Sequence, residues 1–362
     1  MPETVSERES KILSIIETAR AKRPKFRDSH ITMSHGAGGK ATTSLIEGLF
    51  VPAFASPTLE ALADAGAVRI DWLELALTTD SFVVKPLRFP GGSIGELAVN
   101  GTVNDLAMAG ARPLALTLSL VLEEGLSAET LRGEVRVIAR AAREANVQIV
   151  AGDTKVVERG HADGMYVCTT GLGRRDPRAR LAPDRLQPGD RILVSGTIGE
   201  HGTAIMLARG ELGLDADIES DTCSLWPTVD GLLDAAGAGL HCLRDATRGG
   251  VASVLNELAR ASGVAMIVRE AAVPVQPVVA GAAEILGIDP MYVANEGKLV
   301  AFVGSEHAAR ALAALRAIPG GEDAAEIGEV KTDPPGMVLV ETAFGGRRVM
   351  DQLVGDPLPR IC

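Results

Sequence analysis

Three aspartates fall where an extended run gives out: Asp80 in Thr78-Thr79-Asp80-Ser81, Asp153 in Gly152-Asp153-Thr154-Lys155, and Asp245 just before Ala-Thr-Arg-Gly-Gly250. A fourth, Asp105, lies in a helical segment. Singly, each is an ordinary turn or surface carboxylate. As a set they are the hard oxygen ligands that suit Mg²⁺, which commonly shares its shell with phosphate and water. The stretch Ser34-His-Gly-Ala-Gly-Gly-Lys40 adds backbone N–H groups able to crowd an anion, and a lysine charge. It reads equally as a flexible turn before a helix, and its spacing is not that of a Walker loop. The combination points to magnesium held by carboxylates and bridging to ATP phosphates. Asn100 and Asn104 lie one turn apart in a helix that also carries Gly101 and Thr102, costs that a sequence accepts where it needs the polar groups.

The chain ends in Pro359-Arg-Ile-Cys362. Nothing follows the last cysteine, so its thiol can be carried into a pocket on a tether; the alternative is an unremarkable terminus. Gly345, Gly346, Gly355, Pro357 and Pro359 oppose regular structure in the approach. Prenylation is excluded because no residues follow the cysteine.

The elements that must position these groups follow from periodicity. Val68 to Val84 alternates as one strand, and Ser93 with Glu96 forms a capping box that opens the helix running to Gly110. Leu114, Leu116, Leu118 and Leu120 mark a half-buried strand. Ser127 opens an amphipathic helix, Val147–Val150 reads as a buried strand ending at Asp153, and Met165–Leu172 as another. Residues 174–189, rich in Pro, Arg and Asp, mark a domain boundary. Beyond it, strands at Arg191–Ser195, Leu240–Leu243, Ala265–Val268, Leu299–Val303 and Met337–Glu341 alternate with helices. The expected divisions are an extension over 1–30, with Ile12, Ile15 and Ile16 on one face of a short helix, domains over 31–180 and 181–344, and a mobile tail over 345–362.

Composition narrows the function. Of 362 residues 46% are hydrophobic but only 3% aromatic, which suits α/β packing and argues against stacking platforms for single-stranded nucleic acid. A net charge of −11 repels phosphate backbones. The four cysteines, Cys168, Cys223, Cys242 and Cys362, have neither zinc nor disulfide spacing. No signal core or bilayer-length apolar stretch is present, and a reducing cytoplasm is the simplest compartment.

The motifs His35-Gly-Ala-Gly-Gly39, Thr79-Asp-Ser-Phe-Val83, Asn100-Gly-Thr-Val-Asn-Asp-Leu-Ala-Met108, Ala151-Gly-Asp-Thr-Lys-Val156, Asp245-Ala-Thr-Arg-Gly-Gly250, Ala294-Asn-Glu-Gly297 and the terminal Pro-Arg-Ile-Cys362 resemble the HypE family of hydrogenase maturation factors. That family lies in the superfamily of aminoimidazole ribonucleotide synthetase and selenophosphate synthetase. The likeness runs from about Ile31 to Cys362; residues 1–30 are longer than the family's usual start, and Ala37 stands where many members have glycine. The resemblance implies a two-domain PurM-like α/β fold, a homodimer built on the N-terminal sheets as a barrel, and ATP with Mg²⁺. It implies that the carbamoyltransferase HypF loads Cys362, that the S-carboxamide is dehydrated to S-cyanide, and that the HypC–HypD iron scaffold receives the cyanide. It assigns nucleotide contacts to His35, Gly38, Gly39, Lys40, Asn100, Asn104, Thr154, Thr247 and Gly249, and metal to Asp80, Asp105, Asp153 and Asp245. Glu296 then reads as the base, Lys155 as its partner, with His35 or His201 as the next candidates. Taken alone, Lys155 reads as an ion pair for Asp153, and Glu296 as a loop carboxylate. A non-catalytic carrier, or a superfamily kinase or ligase acting on a free small molecule, are the other readings.

Overall fold

The computed structural model describes residues 24–54, 56–210, 216–353, 355, 358 and 360–362; the helix expected around Ile12, Ile15 and Ile16 lies outside them. In the first half the strands are β1 (Gly66–Ile70), β2 (Leu73–Phe82), the short β3 (Arg88–Phe89) and β4 (Gly92–Ser93), β5 (Ala111–Glu123), β6 (Gln148–Val157) and β7 (Met165–Arg175). In the second they are β8 (Arg191–Val194), β9 (Leu240–Asp245), β10 (Ala265–Arg269), β11 (Leu299–Val303), β12 (Ala325–Lys331), β13 (Val338–Glu341) and β14 (Arg347–Met350). One sheet runs β1-β2-β7-β5-β6 and the other β14-β13-β10-β12-β8-β11-β9. The β5–β6 pair is parallel and needs a crossover, which helix Ala128–Glu144 supplies.

Three expectations change. The run Val68–Val84 is a hairpin: Ile70 pairs with Leu73, and Asp71 takes a left-handed φ of 53° in the two-residue turn. The strand after Val147 is not buried. β6 is an exposed edge, and Asp153 stands within it rather than at its end. The last domain extends beyond 344, because β14 pairs with β13; the tail begins after Met350.

Helix Ile94–Met108 joins the halves. Ser93 caps it, accepting from Gly95 N–H, and Ile94, Leu97, Val99, Val103 and Leu106 are fully enclosed. Each such side chain contributes about 1.5–3 kcal/mol on burial. The poor helix formers in its middle have steric and polar reasons. A Cβ on Gly101 would stand 2.9 Å from the Phe82 ring, and Thr102 hydrogen-bonds Thr169. Asn104 receives Leu225 N–H at 2.7 Å and donates to the carbonyls of Cys223 at 2.9 Å and Glu296 at 3.2 Å.

Alternation along the first sheet gives it two faces. Ala76, Thr78 and Phe82 of β2 are buried toward the helices, while Val68, Ile70, Leu77 and Leu172 share the opposite face and are exposed.

Candidate functional site

The Gly36–Gly39 loop, the Arg248–Gly249 turn and the end of the chain meet around a cavity of about 130 Å³, lined also by Val83 and Tyr292. Glycine is required at position 38. Its φ is +75°, and a Cβ there would lie 2.8 Å from the Arg248 carbonyl oxygen. Arg248 Nη1 donates to the Gly36 carbonyl at 2.9 Å, and Ser253 Oγ to that of Gly38 at 3.3 Å. Two loops distant in sequence thus form one wall; of the expected nucleotide set Gly249 lines the cavity, Gly38 packs on the Arg248 backbone, and Gly39 lies against Leu353. Thr247 lies in the same turn, where its carbonyl accepts Gly250 N–H at 2.8 Å.

The carboxylates arrive from three elements: Asp80 from β2, Asp105 from helix Ile94–Met108, and Asp245 from the end of β9. All have raised pKa values. Burial is the first cause for each; for Asp105 the charges of Asp245, Asp64 and Asp80 follow, and Asp245 is pushed up to about 8 by burial and then Asp64. Asp105 accepts from Thr78 Oγ1 at 2.7 Å. Arg248 approaches Asp80 at 4.0 Å; its own proton is held more tightly by the charges of Cys362, Asp80, Glu296 and Asp105. Among the described residues no three acidic, histidine or cysteine side chains stand as a ready metal cage. Magnesium seldom needs one, since it binds through one or two carboxylates plus phosphate and water. Asp80 raises the pKa of both Asp105 and Asp245, and Asp245 that of Asp105; carboxylates gathered in this way fit such a cation.

Asp153 does not belong to this cluster. It lies opposite Ser119, which pairs with Cys168, which pairs with Ser81, so it faces the sheet side away from Asp80. Three strand spacings add about 14 Å. Lys155 shares that outer face and binds Asp153 at 2.7 Å, which with the Thr154 N–H lowers the Asp153 pKa. Within one chain Lys155 therefore does not meet Glu296 and Asp153 does not join the cluster; Thr154 has the parity of Asp80 but lies on the exposed edge strand three strands away. Periodicity could have flagged this: Asp80 and Asp153 belong to opposite parities once the register is known.

Glu296 sits beside the cluster and is almost wholly buried. Burial first, then Asp80, Asp245 and Asp221, hold its carboxyl well above the usual range; Arg248 opposes them. Asn104 spends its amide on the loops around Glu296, as above, and Asn100 donates to Thr222 Oγ1 at 3.2 Å. Both asparagines fasten the second domain to the helix. His35 is also structural: its Nδ1 lies 3.0 Å from Thr32 N and its Nε2 3.1 Å from Asp28. Lys40 pairs with Asp351 at 2.7 Å instead of reaching into the cavity.

The described residues at the end of the tail are seated on the body of the protein. Cys362 O accepts Val83 N–H at 3.0 Å, and Arg360 O accepts Lys85 N–H at 3.3 Å and an Arg209 N–H at 2.7 Å. The Arg360 guanidinium donates to Val83 O, pairs with Asp163 and lies over the Tyr166 ring at 6.0 Å. Leu358 and Ile361 are buried against Phe82, Val84 and Ile205. His201, fully buried, stands 2.6 Å from Ile361 O and 2.8 Å from Ser220 Oγ; burial lowers its pKa, so the neutral ring clamps the tail. Sequence reasoning missed Arg248 and Asp64. Arg248 was within a quoted motif, and an arginine between acidic motifs was the available signal; Asp64 lies in a turn and gave none.

Comparison with known proteins follows this geometry. Residues 62–175 match the AIR synthase related protein, N-terminal domain, and residues 187–340 its C-terminal domain. The chain is 49% identical over 345 residues to the carbamoyl dehydratase HypE of Rhodobacter capsulatus, covering 93% of this chain and 99% of that one. It resembles a chain of a HypE–HypF complex (TM-score 0.81, 44% identity, 86% of this chain and 100% of that one). It also resembles a hydrogenase maturation protein HypE in complex with ATP (TM-score 0.77, 46% identity, 92% and 100%).

Proposed function

The chain belongs to the HypE family of carbamoyl dehydratases, within the AIR synthase related proteins, and from that premise we propose that it uses ATP to dehydrate an S-carboxamide on its own Cys362 to an S-cyanide. The two-domain α/β architecture, the enzyme class and the role in hydrogenase maturation come with the family. The observation that carries the Cys362 step is the seating of the chain's last residue in the cavity formed by the Gly36–Gly39 loop and Arg248.

The chemistry balances as follows. The carboxamide oxygen attacks the γ-phosphorus of ATP, the bond to the β,γ-bridging oxygen breaks, and ADP leaves. Nitrogen gives up one proton then and a second as the C–O bond breaks, leaving S–C≡N and inorganic phosphate. Arg248, which lines the same cavity as Cys362, offsets charge on the transferring phosphoryl group. Glu296 takes the nitrogen proton, and the held tail keeps the thiol's cargo at high effective concentration. A divalent cation on Asp80, Asp105 and Asp245 supplies charge that offsets the phosphates and relieves the like-charge pressure on Glu296.

Loading of Cys362 is assigned to a HypF-type carbamoyltransferase, and delivery of cyanide to a HypC–HypD scaffold. A homodimer accounts for the exposed apolar face of the first sheet and for the exposed β6 edge. In that reading Asp153, Thr154 and Lys155 act toward the second subunit. The test is Cys362→Ala: it should bind ATP normally yet form no cyanide with a carbamoyl donor system. Cyanide formation by this variant would remove the carrier role.

A further inference from the structure

Both carboxylate oxygens of Asp221 are spent on the loop that carries the proposed base. Oδ1 accepts Glu296 N–H at 3.0 Å and Oδ2 accepts Gly297 N–H at 3.2 Å. Lys298 lies 3.4 Å from Oδ2, and the Asp221 side chain is only 3% exposed. The segment bearing Asp221 is itself fixed on three sides. Ser220 N–H donates to Pro90 O at 2.9 Å, Thr222 Oγ1 receives Asn100, and the Cys223 carbonyl receives Asn104. Space is as tight as the bonding: any side chain at Gly297 would run into the Asp221 carbonyl. A carboxylate accepting two backbone N–H groups beside a lysine is a strong, directional anchor.

We infer that Asp221 is a positioning residue for Glu296: it fixes the backbone from which the carboxyl reaches the Cys362 cargo, without touching the cargo itself. This rests on the reading of Glu296 as the base. Asparagine at 221 keeps the shape but presents an NH₂ where one backbone N–H needs an acceptor. The Glu296 carboxyl then loses its fixed approach, while the cavity wall formed by Gly36, Ala37 and Arg248 is untouched. Near-ideal geometry matters because a misplacement of about 1 Å can cost 100-fold in rate.

The experiment is single-turnover dehydration by the carbamoylated full chain, in Asp221→Asn, Glu296→Gln and the double variant, with the KM for ATP and melting temperature of each. The expected result is a loss of about 10- to 100-fold in Asp221→Asn with the KM for ATP nearly unchanged, and no further loss when it is added to Glu296→Gln. Near-normal turnover by Asp221→Asn overturns the inference. So do losses that multiply in the double variant, or a rise in the KM for ATP that accounts for the defect. Near-normal turnover by Glu296→Gln alone is a separate result; it removes the base assignment, and the positioning role with it.

Discussion

Arg248 lines one cavity with Cys362 and lies 4.0 Å from Asp80, so its charge has work on both sides. Arg248→Met should weaken ATP binding by about 10- to 100-fold, the scale of a lost charge-assisted bond; calorimetric titration checks it, and unchanged affinity contradicts the phosphate role. The acids make a pH prediction. The Asp245 pKa rises from an ordinary 3.8 to about 8, so the folded state holds a proton that the unfolded chain has released. Its stabilising contribution is complete below the unfolded pKa, and is lost as pH climbs through about 8. The melting temperature of the nucleotide-free protein should fall over that rise, and Asp245→Asn should flatten the decline. A decline of equal depth in the variant would assign it elsewhere. At this scale the sequence was legible in which groups meet: Asp80, Asp105 and Asp245 lie close enough to act on one another's charge, and Gly38 packs on the Arg248–Gly249 turn. It was not legible where a side chain's face decided the matter. Asp153 and Lys155 read as partners of the same cluster because their motif sits at a strand, but strand parity and a sheet edge turn them away from the cluster of their own chain.

The helix Ile94–Met108 shows why an element's sequence can look wrong and be right. Gly101 lowers intrinsic helix stability, yet any Cβ there meets the Phe82 ring at 2.9 Å. Gly101→Ala should therefore destabilise the protein by about 1–3 kcal/mol, despite alanine's better propensity. Urea unfolding measures it; stabilisation would mean that the ring yields freely. The tail is the other element whose contacts composition did not show. Glycines and prolines announced a flexible segment, and nothing local announced β14, Arg209, Asp163 or His201, because those partners are long-range. Arg360 adopts φ 58°, a conformation costing on the order of 1 kcal/mol, and its contacts to Val83, Asp163 and Tyr166 hold it there. Arg360→Ala should hasten carboxypeptidase release of Cys362 several-fold. Equal release rates would argue that Leu358 and Ile361 alone seat the tail.

At the level of the whole molecule, two sheets of different exposure divide the labour. The second is enclosed by helices on both sides, with Phe302 and Val300 on one face and Leu299 and Ala301 on the other fully buried. The first leaves Val68, Ile70, Leu77 and Leu172 open on one face, more than a lone subunit gains from. Leu77→Arg with Leu172→Arg should leave the chain folded and monomeric, read by light scattering; a persistent dimer would place the interface elsewhere. The two-domain plan was legible from the alternation of strands and helices and from the linker at 174–189. The pairing of the sheets through one buried helix was not, because it depends on contacts between residues some hundred positions apart.

The account turns on Cys362 as carrier, and the mass of the C-terminal peptide tests it most directly. The full chain, carbamoylated by its donor enzyme, is incubated with Mg²⁺–ATP and cleaved, and the peptide ending in Cys362 is weighed. The account predicts that the carbamoyl peptide loses the mass of one water, only with ATP and in step with phosphate release. A carbamoyl peptide of unchanged mass while ATP is consumed would contradict it.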